Sequence, residues 1–167
     1  LDVVRRREDG YHEVRMIMQT IHLYDRLDIK RTKEPGIQIQ TNLSFLPVNE
    51  NNLIYKAAKL LMDEFSITDG VSVKLDKRIP VAAGMAGGST DAAAMLIGVN
   101  RLFSLGLTKR ELMERGVQIG ADVPYCIMRG TALAEGIGEA LSPLPPMVKC
   151  PVLIAKPSIS VSTKFVY

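Results

Sequence analysis

Gly84, Gly87 and Gly88 are followed at once by Ser89 and Thr90, and all five lie between Pro80 and an alanine run that begins at Ala92. Small residues at this spacing let backbone N–H groups turn toward an anion, and the start of a following helix adds unpaired donors and partial positive charge. The chemistry that suits such a segment is phosphate binding. Two familiar phosphate motifs are excluded by the residues themselves. A Walker loop needs Gly-Lys followed by Ser or Thr, and no lysine follows Gly87 or Gly88. A dinucleotide fingerprint needs a second glycine two positions after the first, where Ala86 stands after Gly84. A tight strand-to-helix turn with close packing is the competing reading of the same small residues.

Asp122, set among Gly120, Ala121, Val123 and Pro124, is the carboxylate best placed to orient an alcohol and accept its proton. Partial desolvation there would tune the acid, while spacing alone favours a turn or helix-capping aspartate. Asp91 falls in what reads as the first helical turn after the glycine loop. Its charge would oppose a bound phosphate, so a structural role is expected. Tyr11 and His12 read on their own as strand-start residues, an aromatic packing on the core and a surface imidazole. Two histidines and two cysteines without ligand spacing give no metal site built from protein side chains alone.

The elements that must hold these groups follow from hydrophobic periodicity. Val14–Ile21, Leu27–Lys30 and Ile37–Gln40 alternate as antiparallel strands, with Asp9-Gly10 as the turn into the first. Asn52 caps a helix that presents Leu53, Ile54, Ala57, Ala58, Leu60, Leu61 and Phe65 on one face. Val71, Val73 and Leu75 mark a strand, and a helix runs from about Ser89 to Phe103. Thr108 and Glu111 form a capping box for a short helix closed by Gly116. Tyr125–Met128 and Cys150–Ala155 read as strand-like runs, which makes Cys126 and Cys150 buried thiols; Pro143–Pro146 reads as a surface loop. This order predicts an α+β fold with helices packed on one face of a largely antiparallel sheet.

The 167 residues, 47% of them apolar, suffice for one substantial core. A net charge of +3 without a basic stripe argues against nucleic acid. No apolar run approaches the roughly 20 residues of a membrane span, and Leu1–Arg7 lacks the order of a signal peptide, so the cytoplasm is the default expectation. Leu1 opens inside an extended-looking run and Tyr167 closes without a terminal signal, so the chain reads as an excerpt of a longer one.

The segment Pro80…Gly84-x-x-Gly87-Gly88-Ser89 resembles the central phosphate-binding motif of the GHMP kinases, which include galactose, homoserine and mevalonate kinases. Asp9–Glu13, Asn52–Ile54, Asp76–Pro80, Gly120–Pro124 and Ser162–Tyr167 occur in the order seen in one branch of that family, whose substrate is a cytidine diphosphate derivative. The resemblance covers essentially the whole chain. It implies the two-layer α+β fold also known from the second domain of a small-subunit ribosomal protein. Residues 1–150 would form the ATP-binding N-terminal domain without its first strand, and residues 151–167 would begin the connection to a second domain.

The resemblance further implies a small-molecule kinase with an alcohol acceptor, ATP as co-substrate and Mg²⁺ that needs no dedicated protein cage. Pro80, Gly84, Gly87, Gly88, Ser89 and Thr90 would hold the phosphates. Asn52, Leu53 and Lys77 would surround the adenine; on their own they read as a helix cap, a core leucine and a surface lysine. Asp122 matches the catalytic aspartate. Tyr11 would stack on the cytosine, His12 would hydrogen-bond it, and Tyr167, aligned from Thr163 past Phe165, would close the sandwich, with Thr163 also on the substrate. No nucleic acid or membrane partner is implied, and the oligomeric state is not indicated. The family's upstream lysine and asparagine and its second domain are not in the sequence, so these residues alone are expected to turn over little. The rivals are another family member acting on a different small alcohol, and a noncatalytic phosphate- or RNA-binding module.

Overall fold

A computed structural model describes residues 1–157; the sequence expectations for Thr163, Phe165 and Tyr167 lie outside the described residues. In chain order the elements are β1 (Asp2–Arg6), β2 (His12–Gln19), β3 (Arg26–Thr32), β4 (Ile37–Thr41), α1 (Leu53–Glu64), β5 (Gly70–Asp76), α2 (Gly87–Leu102), α3 (Lys109–Gly116), α4 (Val123–Met128), β6 (Thr131–Glu135) and β7 (Ala140–Pro143). They form a sheet ordered β1-β2-β6-β7, antiparallel throughout, and a second ordered β3-β5-β4. In the second, β3 and β5 are antiparallel, but β4 and β5 are parallel, with Ile37 opposite Val71. The chain reaches β5 from β4 through α1, and a crossover of that kind joins parallel strands. The α+β architecture with a largely antiparallel arrangement and helices on one side is the one expected.

Alternation explains why the helices sit where they do. Val71, Val73 and Leu75 of β5 are buried while Lys74 is exposed, so one face of the sheet is apolar. Against it lie Ile54, Ala57, Ala58 and Leu61 of α1 and Ala92, Ala93, Met95, Leu96 and Val99 of α2, in one contiguous core. Asn52 starts α1 by accepting the Ile54 N–H at 2.9 Å, and the Thr108–Glu111 capping box starts α3.

Four local expectations are corrected. Residues 125–128 are helical, not extended: Cys126 N–H donates to the Asp122 carbonyl at 3.0 Å, and Val123, Pro124, Tyr125, Cys126 and Ile127 are all buried. A short apolar run has no periodicity that separates a buried strand from a buried helix. Cys150 is exposed, and residues 144–157 form neither helix nor strand, with Leu153 almost fully exposed. Gly116 is the last helical residue and lacks the left-handed conformation of a closing glycine; a Cβ there would stand 2.9 Å from Val123 Cγ1, so it serves α3–α4 packing. Finally, α2 begins at Gly87, two residues before the expected start, which moves Asp91 out of the first turn.

Candidate active site

The glycine loop alternates unusual backbone. Ala82, Gly84 and Ala86 all have positive φ (52°, 67° and 50°), two of them without glycine's freedom. Such non-glycine outliers persist where surrounding structure holds them, and they collect at ligand-binding turns. Ala86 is the N-cap of α2 and has no side chain with which to accept its first N–H groups. These donors and the helix dipole therefore face a cavity of about 340 Å³.

That cavity brings together most of the residues expected to hold a nucleotide: Asn52, Leu53, Lys77, Pro80, Gly84, Gly87, Gly88 and Ser89. The glycines do different things there. A Cβ on Gly84 would meet nothing within 4 Å, whereas one on Gly87 would stand 2.9 Å from both Ile79 Cγ2 and Lys77 Nζ. Gly84 leaves its side of the loop open, and Gly87 lets α2 begin hard against the end of β5. Thr90 does not line this cavity. Its hydroxyl donates to the Ala86 carbonyl at 3.0 Å and touches Cys126 Sγ at 3.4 Å, on the side of a neighbouring cavity.

Lys77 is not a surface lysine. Its side chain is 4% exposed, and its ammonium is paired with Asp25 and, at 3.1 Å, with Asp91. Asp25 Oδ1 also accepts the N–H groups of Arg78 at 2.5 Å and Ile79 at 2.8 Å. Burial pushes the Asp25 carboxyl up, but Lys77 and these N–H groups outweigh it and hold Asp25 below the usual carboxylate range. Nothing in the sequence singled out Asp25, which sits in a polar stretch before β3 and meets its lysine 52 residues later.

Asp122 lies outside the glycine-loop cavity, at the N-cap of α4, where its side chain makes no capping hydrogen bond. Burial raises its pKa. A Cβ on Gly138 would lie 3.9 Å from Asp122 Oδ1 and 3.3 Å from Met16 Cε, so the carboxylate sits beside the inward face of β2. One turn further along α4, Cys126 touches Thr90 and so ties Asp122 to the start of α2. The Cys126 thiol is pushed up to about 11 by burial and stays uncharged.

His12 is the first residue of β2, and on the strand's alternation it shares the face of Val14 and Met16. Four residues at about 3.3 Å each put His12 roughly 13 Å along β2 from Met16 and thus from Asp122's side of the sheet. Tyr11 is 59% exposed, and its N–H donates to Asp9 Oδ1 at 3.1 Å.

This fold and loop define a class. Residues 52–130 match the GHMP kinases N terminal domain, and the chain has the fold of that domain. More particularly, it is 63% identical over all 167 residues to the 4-diphosphocytidyl-2-C-methyl-D-erythritol kinase of Lachnoclostridium phytofermentans, covering 57% of it. It is equally similar, at 63% and covering 58%, to the kinase of the same name from Lachnospira eligens. The chain thus spans a little over half the length of these curated relatives. Among solved structures, a 4-(cytidine 5'-diphospho)-2C-methyl-D-erythritol kinase matches with a TM-score of 0.72 at 38% identity, over 85% of this chain and 50% of that one. A homoserine kinase from Cytophaga hutchinsonii shares the fold, with a TM-score of 0.66 at 20% identity, over 85% and 50% of the two chains.

Proposed function

We propose that the full-length protein transfers the terminal phosphate of ATP to the 2-hydroxyl of 4-diphosphocytidyl-2-C-methyl-D-erythritol, in the non-mevalonate route to isoprenoids. The observation that carries this reading is the glycine-loop cavity, with its uncapped α2 N-terminus, in a chain identical at 63% of positions to kinases so named. In this reading residues 1–150 are the nucleotide-binding domain and residues 151–167 begin the connection to a second one.

Each residue then has a task. Backbone N–H groups from Gly84 to Ser89 cradle the phosphates, with Pro80 fixing the loop's entry and Thr90 bracing it through the Ala86 carbonyl. Asn52 and Leu53 line the adenine end. Lys77 lends its stem to that wall while its ammonium stays with the carboxylates. Asp122 orients the attacking hydroxyl and takes its proton; the proton affinity that burial gives it suits a base. Tyr11 and Tyr167 stack on the cytosine, His12 reads its edge, and Thr163 contacts the substrate. Among the described residues no group of three or more His, Cys, Asp or Glu could cage a metal. Mg²⁺ would arrive on the phosphates of ATP, where it supplies charge neutralisation for phosphoryl transfer.

The test is phosphoryl transfer from ATP by the full-length protein, offered the cytidine substrate, mevalonate and homoserine in parallel. Transfer to the cytidine substrate alone, inhibited by CDP, is expected. Preference for mevalonate or homoserine, without CDP inhibition, would sink the reading.

A further inference from the structure

Beneath the glycine loop lies a charge cluster that phosphate binding by backbone N–H groups does not use. Lys77, Asp25 and Asp91 have side chains 4%, 1% and 5% exposed, so two carboxylates share one ammonium away from water. The two acids are not equivalent. Asp25 is saturated by Lys77 and two backbone N–H groups and must stay ionised. Asp91 reaches Lys77 with Oδ2 only, and its Oδ1 is buried with no hydrogen-bond partner. A buried anionic oxygen without a donor is costly, and protonation is the cheapest relief.

The cluster's place makes that relief depend on a ligand. Asp91 is four residues after Gly87, so it lies one turn below the first residue of α2 on the same face. A Cβ on Gly87 would stand 2.9 Å from Lys77 Nζ, so the ammonium abuts the phosphate end of the helix. A polyphosphate seated there adds negative charge within a turn of a carboxylate that is already the surplus anion of its cluster.

We propose that Asp91 takes up a proton when a polyphosphate binds the glycine loop, so that the Asp25–Lys77–Asp91 cluster balances the ligand's charge. The inference rests on the nucleotide-site reading. The groups that act on Asp91 are Lys77 at the exit of β5 and Asp25 ahead of β3, while Cys126 on α4 faces it as a neutral thiol. The buried residues of α1 are Ile54, Ala57, Ala58, Leu61 and Met62, all apolar. In the absence of ligand, burial, opposed by Lys77 and then aided by Asp25, pushes Asp91 up to about 7, so the coupling would operate near neutral pH. Its sign is fixed: the ligand favours the protonated form, so affinity is highest at low pH and falls as pH rises through the Asp91 titration, by at most about tenfold per pH unit for one proton.

The experiment is calorimetry of Mg²⁺-bound AMP-PNP binding to the full-length protein at about pH 7.5, in two buffers of different ionisation enthalpy. Wild type should take up a fraction of a proton. Asp91→Asn, which mimics the protonated acid, should take up none and bind with an affinity that stays flat between about pH 6.5 and about pH 8.5. Binding without proton uptake in wild type, or equal uptake in Asp91→Asn, would overturn the inference while leaving the nucleotide site standing. No binding by wild type would overturn the nucleotide-site reading and the inference with it. Should Asp91→Asn fail to fold, the Asp91 carboxyl carbon signal in labelled wild type decides: its titration midpoint must rise when AMP-PNP binds, and an unmoved midpoint refutes the coupling.

Discussion

The two ends of the proposed cleft are held in opposite ways. At the nucleotide end, α2 starts against Ile79 and Lys77, is braced by α1, and covers three nearly fully buried charged side chains. At the cytidine end, Tyr11 and His12 ride on a hairpin whose β1 residues are all exposed and whose ion pairs, Arg5–Glu13 and Arg7–Asp9, lie at the surface. Surface pairs contribute little, whereas a change in the buried region is felt by the whole core. On the proposed reading the phosphate grip is therefore part of the fold, and the base reader is grafted on to it. A substitution at the first end should register in both stability and ligand binding, and one at the second in substrate binding alone.

The largest effect belongs to the residue between the two ends. Asp122→Asn in the full-length protein should lower turnover by about 10²–10⁴, the usual worth of a positioned acid or base, while nucleotide binding and melting temperature hold. Loss of nucleotide affinity instead would assign Asp122 to the nucleotide end.

Next comes pH. An aspartate has a pKa near 3.9 when unfolded, and Asp91 is raised to about 7 in the fold. Between those values the folded state keeps a proton that the unfolded state has lost, so stability contributed by Asp91 is full below the lower value and lost as pH rises through the upper one. Denaturant unfolding should show Asp91→Asn flattening that decline, by an amount on the order of a few kcal/mol at most. An unchanged slope would mean that the cluster's burial does not govern the nucleotide end.

Gly87→Ala should destabilise by about 1–3 kcal/mol, because its methyl group meets Ile79 and the clamped ammonium of Lys77. It should weaken AMP-PNP binding as well. A substitution that weakened binding at full stability would break the link between loop and core. The smallest effect is Tyr11→Ala, which should raise KM for the cytidine substrate by about tenfold, the lower range for one lost stacking partner, with melting unchanged. A fall in melting temperature would show that the hairpin is not merely grafted.

What could be read from the sequence divides along the same line as the forces. Asn52, Thr108 and Glu111 act on backbone groups within three residues, so α1 and α3 were legible from their caps. The alternation of Val71, Val73 and Leu75 showed a strand, but alternation has no direction, and the parallel pairing with β4 comes from the α1 crossover. Residues 123–128 are apolar all round, which left no period to read, and β6 is only five residues long. The glycine loop was plain, yet the triad beneath it was not. Asp25, Lys77 and Asp91 come from three separate segments, and each alone looks like an ordinary surface or capping residue.

The sharpest single test of a buried phosphate grip with a grafted base reader is parallel titration of CDP and Mg²⁺-bound AMP-PNP into the full-length protein and its Tyr11→Ala variant. The variant should bind CDP about tenfold more weakly and keep its AMP-PNP affinity within about twofold, since only a stacking contact at the exposed hairpin has gone. A CDP affinity unchanged by the loss of Tyr11, or an AMP-PNP affinity that falls with it, would contradict the division of the cleft into these two ends.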